Sequence, residues 1–179
     1  MATSTRARAT EADLLAIPKD GQKYELVDGE IRVSPTGVRH GAISLKLGAL
    51  LLAHASRHGG HAFDSSTGFR LPGGNVRSPD ASYVAAGRLP DDARSDDFGA
   101  VAPDLAVEVL SSSERPRHVL DKVGEYLEAG VRLVWVIDPA KAKAIVYRAL
   151  SDVTELQADD DLDGENVLPG FRCRLSDIL

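Results

Sequence analysis

Residues Asp104–Leu110 read DLAVEVL. Successive side chains of a strand point to opposite faces, so Leu105, Val107 and Val109 share one face while Glu108 stands with Ala106 and Leu110 on the other. An acid among apolar neighbours needs a partner. Burial alone raises its pKa, and an ion pair or a divalent cation restores its charge; exposure to solvent or a nearby lysine is the plainer alternative. A second acid, in Arg77-Ser78-Pro79-Asp80, precedes the alternation Ala81, Tyr83, Val84 and so stands at the beginning of a strand, although Pro-Asp is also an ordinary turn sequence. Two oxygen-bearing side chains on adjacent strands, completed by water and a substrate phosphate, are the usual holder of Mg²⁺ in phosphoryl-transfer sites. His40, His54, His58, His61 and His118 show no tight ligand spacing, which makes zinc the weaker choice.

Strands and helices must bring these acids together. Residues 10–16 (TEADLLA) give a short helix capped by Thr10 and stopped by Pro18. Gln22–Val27 alternates as a strand, and Asp28–Gly29 closes a hairpin that sets Val27 against Glu30, Leu26 against Ile31 and Glu25 against Arg32. From Arg39 to about Arg57, Ile43, Leu47, Leu50, Leu51 and Ala55 recur at helical spacing before the stop at Gly59–Gly60. His40 opens this helix, where an imidazole can cap or help bind an anion, though core packing or exposure is commoner. Short strands follow at His61–Asp64 and Gly68–Leu71, then a Pro-Gly-Gly turn at 72–74 and a strand over Pro79–Val84; residues 85–102 read as a loop.

After Asp104–Leu110 comes a helix with Ser113 as cap, Pro116 in its first turn and Gly130 past its end. Arg115 and Arg117 sit at its positive end, where they could meet phosphate but are more simply solvated. Arg132–Ile137 is an apolar strand, and the strand–helix–strand order over 104–137 implies parallel pairing. Ala144–Arg148 returns antiparallel, and an acidic stretch from Asp159 to Glu165 precedes a short strand near Phe171–Leu175.

A chain of 179 residues, 43% hydrophobic and 27% charged, is expected to build one α/β domain, with residues 1–9 as a disordered tail. One cysteine and no stretch near the ~18 apolar residues of a membrane span point to a soluble, cytoplasmic protein. The net charge of −6 weighs against strong non-specific nucleic-acid binding, yet a bound cation or a local basic groove can reverse the field at a site.

The segments YELVDGE at 24–30, RSPDASYV at 77–84, PDLAVEVL at 103–110 and KVGEYLEAGVRLVWVIDP at 122–139 resemble, in this order, the Uma-type family, also called domain of unknown function 820. The resemblance implies a restriction-endonuclease-like mixed β-sheet flanked by helices, with an N-terminal hairpin. It implies kinship with the PD-(D/E)XK nucleases, whose metal site uses an Asp and then a Glu or Gln two residues before a Lys. Asp80 and Glu108 match the acids; Leu110 stands where that lysine is usual, and in the Uma-type pattern the lysine lies on the next helix, here Lys122. Glu25 matches a further acidic position, though a cross-strand pair with Arg32 is its simplest structural role.

Element lengths agree with that placement of Lys122. Glu108 lies roughly 7 Å below the turn after its strand, and Lys122 descends on the order of 11 Å along a helix running back. The resulting expectation is a Mg²⁺- or Mn²⁺-dependent endonuclease. Asp80, Glu108 and the Val109 backbone carbonyl would hold the metal, Lys122 would serve the attacking water and the developing charge, and the substrate carried over from the resemblance is DNA. A catalytically silent binding module, a hydrolase of small phosphodiesters and a homodimer are the alternatives left open.

Overall fold

The structure, a computed structural model, describes residues 8–18, 20, 22–33, 37–89, 97–111 and 115–179. Helix α1 (Glu11–Leu15) begins at Thr10, whose hydroxyl accepts from the Asp13 amide while the Asp13 carboxylate accepts from the Thr10 amide. The tail expected to fray through residue 9 is held at its end, because the Ala9 amide donates to the Gly29 carbonyl at 2.8 Å. Strands β1 (Tyr24–Val27) and β2 (Glu30–Val33) pair in the register that the two-residue turn dictates. Asp28 and Gly29 have φ of 53° and 77°, the left-handed pair such a turn requires.

Helix α2 (Val38–His58) buries Ile43, Leu47, Leu51 and Ala55 as their spacing predicts. His54 completes the stripe, whereas Leu50 is 38% exposed. Gly59 ends the helix, and Gly60 cannot be replaced without collision, since a Cβ there would stand 2.4 Å from the Tyr83 hydroxyl. Strands β3 (His61–Asp64) and β4 (Phe69–Arg70) precede one 3₁₀ turn at Pro72–Gly74. Strand β5 (Val76–Arg77) is too short to show any periodicity, and β6 (Ala81–Val84) starts two residues later than its alternation suggests.

The remaining elements are β7 (Leu105–Val109), α3 (Pro116–Glu128), β8 (Leu133–Asp138), β9 (Lys143–Ala149), β10 (Asp152–Gln157), β11 (Asp161–Asp163), β12 (Arg172–Arg174) and α4 (Leu175–Ile178). Pro116 is the first helical residue of α3 with Arg115 at the cap position; Ser113, the expected cap, lies outside the described residues. Beyond the helix Gly130 takes φ 89°.

Six strands form one sheet in the order β10-β9-β8-β7-β6-β3. All its pairs are antiparallel except β7–β8, the parallel pair that α3 joins. One face carries Leu105, Val107, Trp135 and Ile137 against Ile43, Leu47 and Leu51 of α2. The opposite face carries Ala106, Val134 and Val136 against Val119, Val123 and Tyr126 of α3. A second sheet, ordered β2-β1-β5-β4, shares a smaller core with α1 through Leu14, Leu26 and Val76. Only residues 78–80 separate its β5 from β6 of the large sheet, so the two sheets meet where Asp80 lies.

The base of β7 is pinned by a buried acid. Asp104 Oδ2 accepts from the Ala85 amide at 2.8 Å and lies 2.7 Å from Arg88 Nη1, while its Oδ1 accepts from Arg132 Nε at 2.9 Å. Burial alone would raise its pKa, but these bonds and the two guanidinium charges hold it below the usual carboxylate value. A depressed pKa adds stability that is present above the unfolded value of ~3.9 and is lost as pH falls through the lower folded value. Asp104→Asn should therefore cost about 2 kcal/mol in urea unfolding at neutral pH, the worth of charged hydrogen bonds. The gap from wild type should close as pH drops below ~4; a gap independent of pH would refute the electrostatic account.

Candidate active site

The candidate site is built on the β6–β7 pair. Ala81 faces Val107 in that register. The Asp80 amide also donates to the Val107 carbonyl at 2.8 Å, so Asp80 stands at the end of the pairing, and its carboxylate reaches the Val109 amide beside Glu108. The two acids are near enough for the Asp80 charge to raise the pKa of Glu108. Asp80 and Glu108 are 4% and 5% exposed, so neither can rely on water.

Each acid has its own partners. Asp80 Oδ1 lies 2.9 Å from Lys23 Nζ, while its Oδ2 accepts from the Val109 amide at 2.8 Å and hydrogen-bonds His40 Nε2 at 2.9 Å. Glu108 accepts from Lys122 Nζ at 2.8 Å and from the Tyr126 hydroxyl at 2.7 Å. Glu25 accepts from the Ser78 amide at 2.8 Å and from Arg77 Nη1 at 3.3 Å, with Lys122 Nζ at 3.4 Å. Lys122 thus stands between Glu108 and Glu25. Behind it, Arg77 forks onto Glu125 at 2.9 and 2.6 Å, and Asn75 donates to the same carboxylate at 3.0 Å.

These contacts set the charges. Burial alone would raise the Asp80 pKa, yet the His40 hydrogen bond and the Lys23 and Lys122 charges hold it far below the usual range. Burial pushes Glu108 up, and the Lys122 and Lys23 charges, opposed by those of Asp80 and Glu25, do not fully offset it. Burial would likewise strip Lys122 of its proton, but Glu108, Glu25 and Asp80 keep it protonated well above its ordinary value. Glu25, despite burial, is drawn down by Lys122, Lys23 and Arg77.

The four side chains singled out from sequence, Asp80, Glu108, Lys122 and Glu25, therefore converge. Val109 joins them through its amide, which holds Asp80. Glu25 faces Arg32 in the hairpin as expected but does not pair with it. Arg32 turns to Glu30 at 3.5 Å, while the Glu25 carboxylate is taken up by Arg77, the Ser78 amide and Lys122. His40 contacts Asp80, overturning core packing or exposure as its simplest fate.

Lys23, Arg77 and Tyr126 went unrecognised as site residues. Two signals were nonetheless present. Lys23 stands two residues before Glu25 and so shares its strand face, and Tyr126 is one helical turn beyond Lys122.

The donors around the cluster are hard oxygens with an ammonium already among them, which fits Mg²⁺ or Mn²⁺ better than a soft thiolate-seeking metal. Among the described residues no three His, Cys, Asp or Glu side chains are grouped to hold an ion. The fit is accordingly to a two-carboxylate site completed by main chain, water and substrate.

A mixed sheet between two helices, with its acids gathered where β6 and β7 meet a hairpin-bearing sheet, defines an α/β protein of restriction-endonuclease-like fold. The chain belongs to the Uma2 family, described as "Putative restriction endonuclease", whose profile matches residues 11–176. Its fold is shared with the crystal structure of "a putative nuclease belonging to DUF820" from Anabaena variabilis ATCC 29413, with a TM-score of 0.82 and 21% identity over 94% of this chain and 96% of that one. No curated protein matches the chain.

Arg77 is 5% exposed and answers two acids from different elements. Arg77→Ala should leave Glu25 and Glu125 without their guanidinium and cost about 3 kcal/mol in urea unfolding, at the lower end for a broken buried pair because Glu125 is partly exposed. A loss under ~1 kcal/mol would show the bridge to be no better than a surface pair.

Proposed function

We propose that the protein is a divalent-metal-dependent endonuclease that hydrolyses phosphodiester bonds, with DNA as substrate. The observation that carries this reading is the Asp80 carboxylate bonded to the Val109 amide, next to Glu108, with Lys122 bonded to Glu108. Asp80, Glu108 and the Val109 carbonyl would hold Mg²⁺ or Mn²⁺, which supplies Lewis acidity toward a phosphoryl oxygen and lowers the pKa of bound water. Glu25 would share the site from the hairpin side, its carboxylate already fixed by the Ser78 amide.

Lys122 is the residue best suited to meet the developing negative charge. Its proton is firmly held and its stem lies along the buried Val119–Tyr126 stripe, so its ammonium is prepositioned with little left to reorganise. His40 and Lys23 fix the orientation of Asp80 from the opposite side. A catalytically silent binding module is the competing reading, favoured by the net charge of −6.

Wild-type protein should nick supercoiled plasmid when Mg²⁺ or Mn²⁺ is added. Asp80→Asn and Glu108→Gln should abolish nicking without unfolding the chain. Lys122→Ala should slow it by two to four orders of magnitude, roughly the worth of a positioned acid–base group, with metal affinity by calorimetry little changed. Metal binding without nicking by the wild type would point to a small phosphodiester; neither metal binding nor nicking would leave the silent module.

A further inference from the structure

One face of α2 turns away from the core. Val38 is 94% exposed, Leu45 75% and Leu52 58%, and these large apolar side chains recur every seven residues along one side of the helix. Between them stand Gly41 and Gly48, also seven apart, where an added Cβ would meet nothing within 4 Å. A glycine inside a helix costs about 1 kcal/mol relative to alanine, and no neighbour in this chain gains from either one. The face is also one wall of a groove of about 640 Å³, opposite Phe63 and Thr67, with His40 and Asp80 at one end.

We propose that this face is the seam of a homodimer in which two α2 helices pack antiparallel, Leu45 over the partner's Gly48 and Leu52 over the partner's Gly41. One register satisfies both contacts, because the step from 45 to 52 and the step from 41 to 48 are equal and run in opposite senses. The twofold axis then makes each contact twice, the self-complementarity of an isologous interface. A parallel arrangement would set leucine on leucine and leave both glycine notches unfilled. The strip carries no charge, and Lys46 at its flank is turned back to the Asp177 and Ile178 carbonyls at 3.2 and 3.4 Å. Nucleic acid is the poorer occupant, since no Lys or Arg lines the groove to meet its phosphates. Seated at Gly41, beside His40, the partner's Leu52 borders the groove near its Asp80 end and makes the second copy part of the wall that substrate passes.

Sedimentation equilibrium should give twice the 19.1 kDa of one chain. Leu45→Asp/Leu52→Asp should halve that mass while leaving circular dichroism unchanged, because both side chains are exposed in the single chain, and should abolish any dependence of the melting transition on protein concentration. The register has its own test in Gly41→Cys and Leu52→Cys. Within either variant's homodimer the new thiols lie eleven residues apart along the seam, roughly 16 Å at 1.5 Å per residue, whereas in the mixed dimer they face each other. A short bis-maleimide should therefore join the mixture and neither variant alone. Burial pushes the native Cys173 thiol up to about 11, so wild-type protein serves as the unlinked control. A monomeric wild type, a dimer that survives the double aspartate, or linkage as strong in the single variants would each overturn the proposal. None of these readouts is of cleavage, so the outcome is independent of whether the chain cleaves DNA.

Discussion

Three carboxylates, those of Asp80, Glu108 and Glu25, are withdrawn from water where two sheets meet, and the surrounding structure is organised to keep them there. Acids held this close, at the start of β6 and within β7, would drive the two strands apart if left alone. Lys122 answers Glu108 and Glu25 together, while Lys23 and His40 answer Asp80 from outside the large sheet. No single cation suffices. Replacing such a cluster by apolar side chains would often be neutral or stabilising, so its assembly is better explained by chemistry than by stability.

The architecture supplies these cations from separate directions. The parallel β7–β8 pair requires a crossover, and that crossover is α3, which returns along the sheet and presents Lys122, Glu125 and Tyr126 from one side of the helix. The N-terminal hairpin supplies Glu25, with Lys23 just ahead of β1, and the first turn of α2 supplies His40. Arg77, at the end of β5 and three residues before Asp80, ties the hairpin side to α3 through Glu25 and Glu125. The metal chemistry proposed here would take over part of the neutralisation that these cations provide.

Much of this was legible in the residues because it rests on local rules. Asp-Gly dictates its hairpin register, strand alternation isolates Glu108, and comparing rises along a strand and a helix brings Lys122 to the height of Glu108. What failed depends on contacts between distant segments. Lys23 and His40 reach Asp80 across 57 and 40 residues, and no periodicity announces such a meeting. Glu25 shows the boundary most clearly. Its register against Arg32 was right, but its partners are Arg77 of β5, a strand of two residues that leaves no pattern in the sequence, the adjoining Ser78 amide and Lys122 of α3.

The sequence separations within the site also set an order of assembly. Glu108 and Lys122 are 14 residues apart, inside one strand–helix unit, whereas Glu25 meets Ser78 across 53 residues and Asp80 meets Lys23 across 57. Closing a longer loop costs more chain entropy, so the β7–α3 ion pair is available early and the hairpin arrives late. Before it docks, Asp80 lacks Lys23, and Lys122 serves Glu108 alone. The nascent chain therefore carries half of a site that neutralises its own charge, and the reactive constellation exists only in molecules whose N-terminal segment has already found its place.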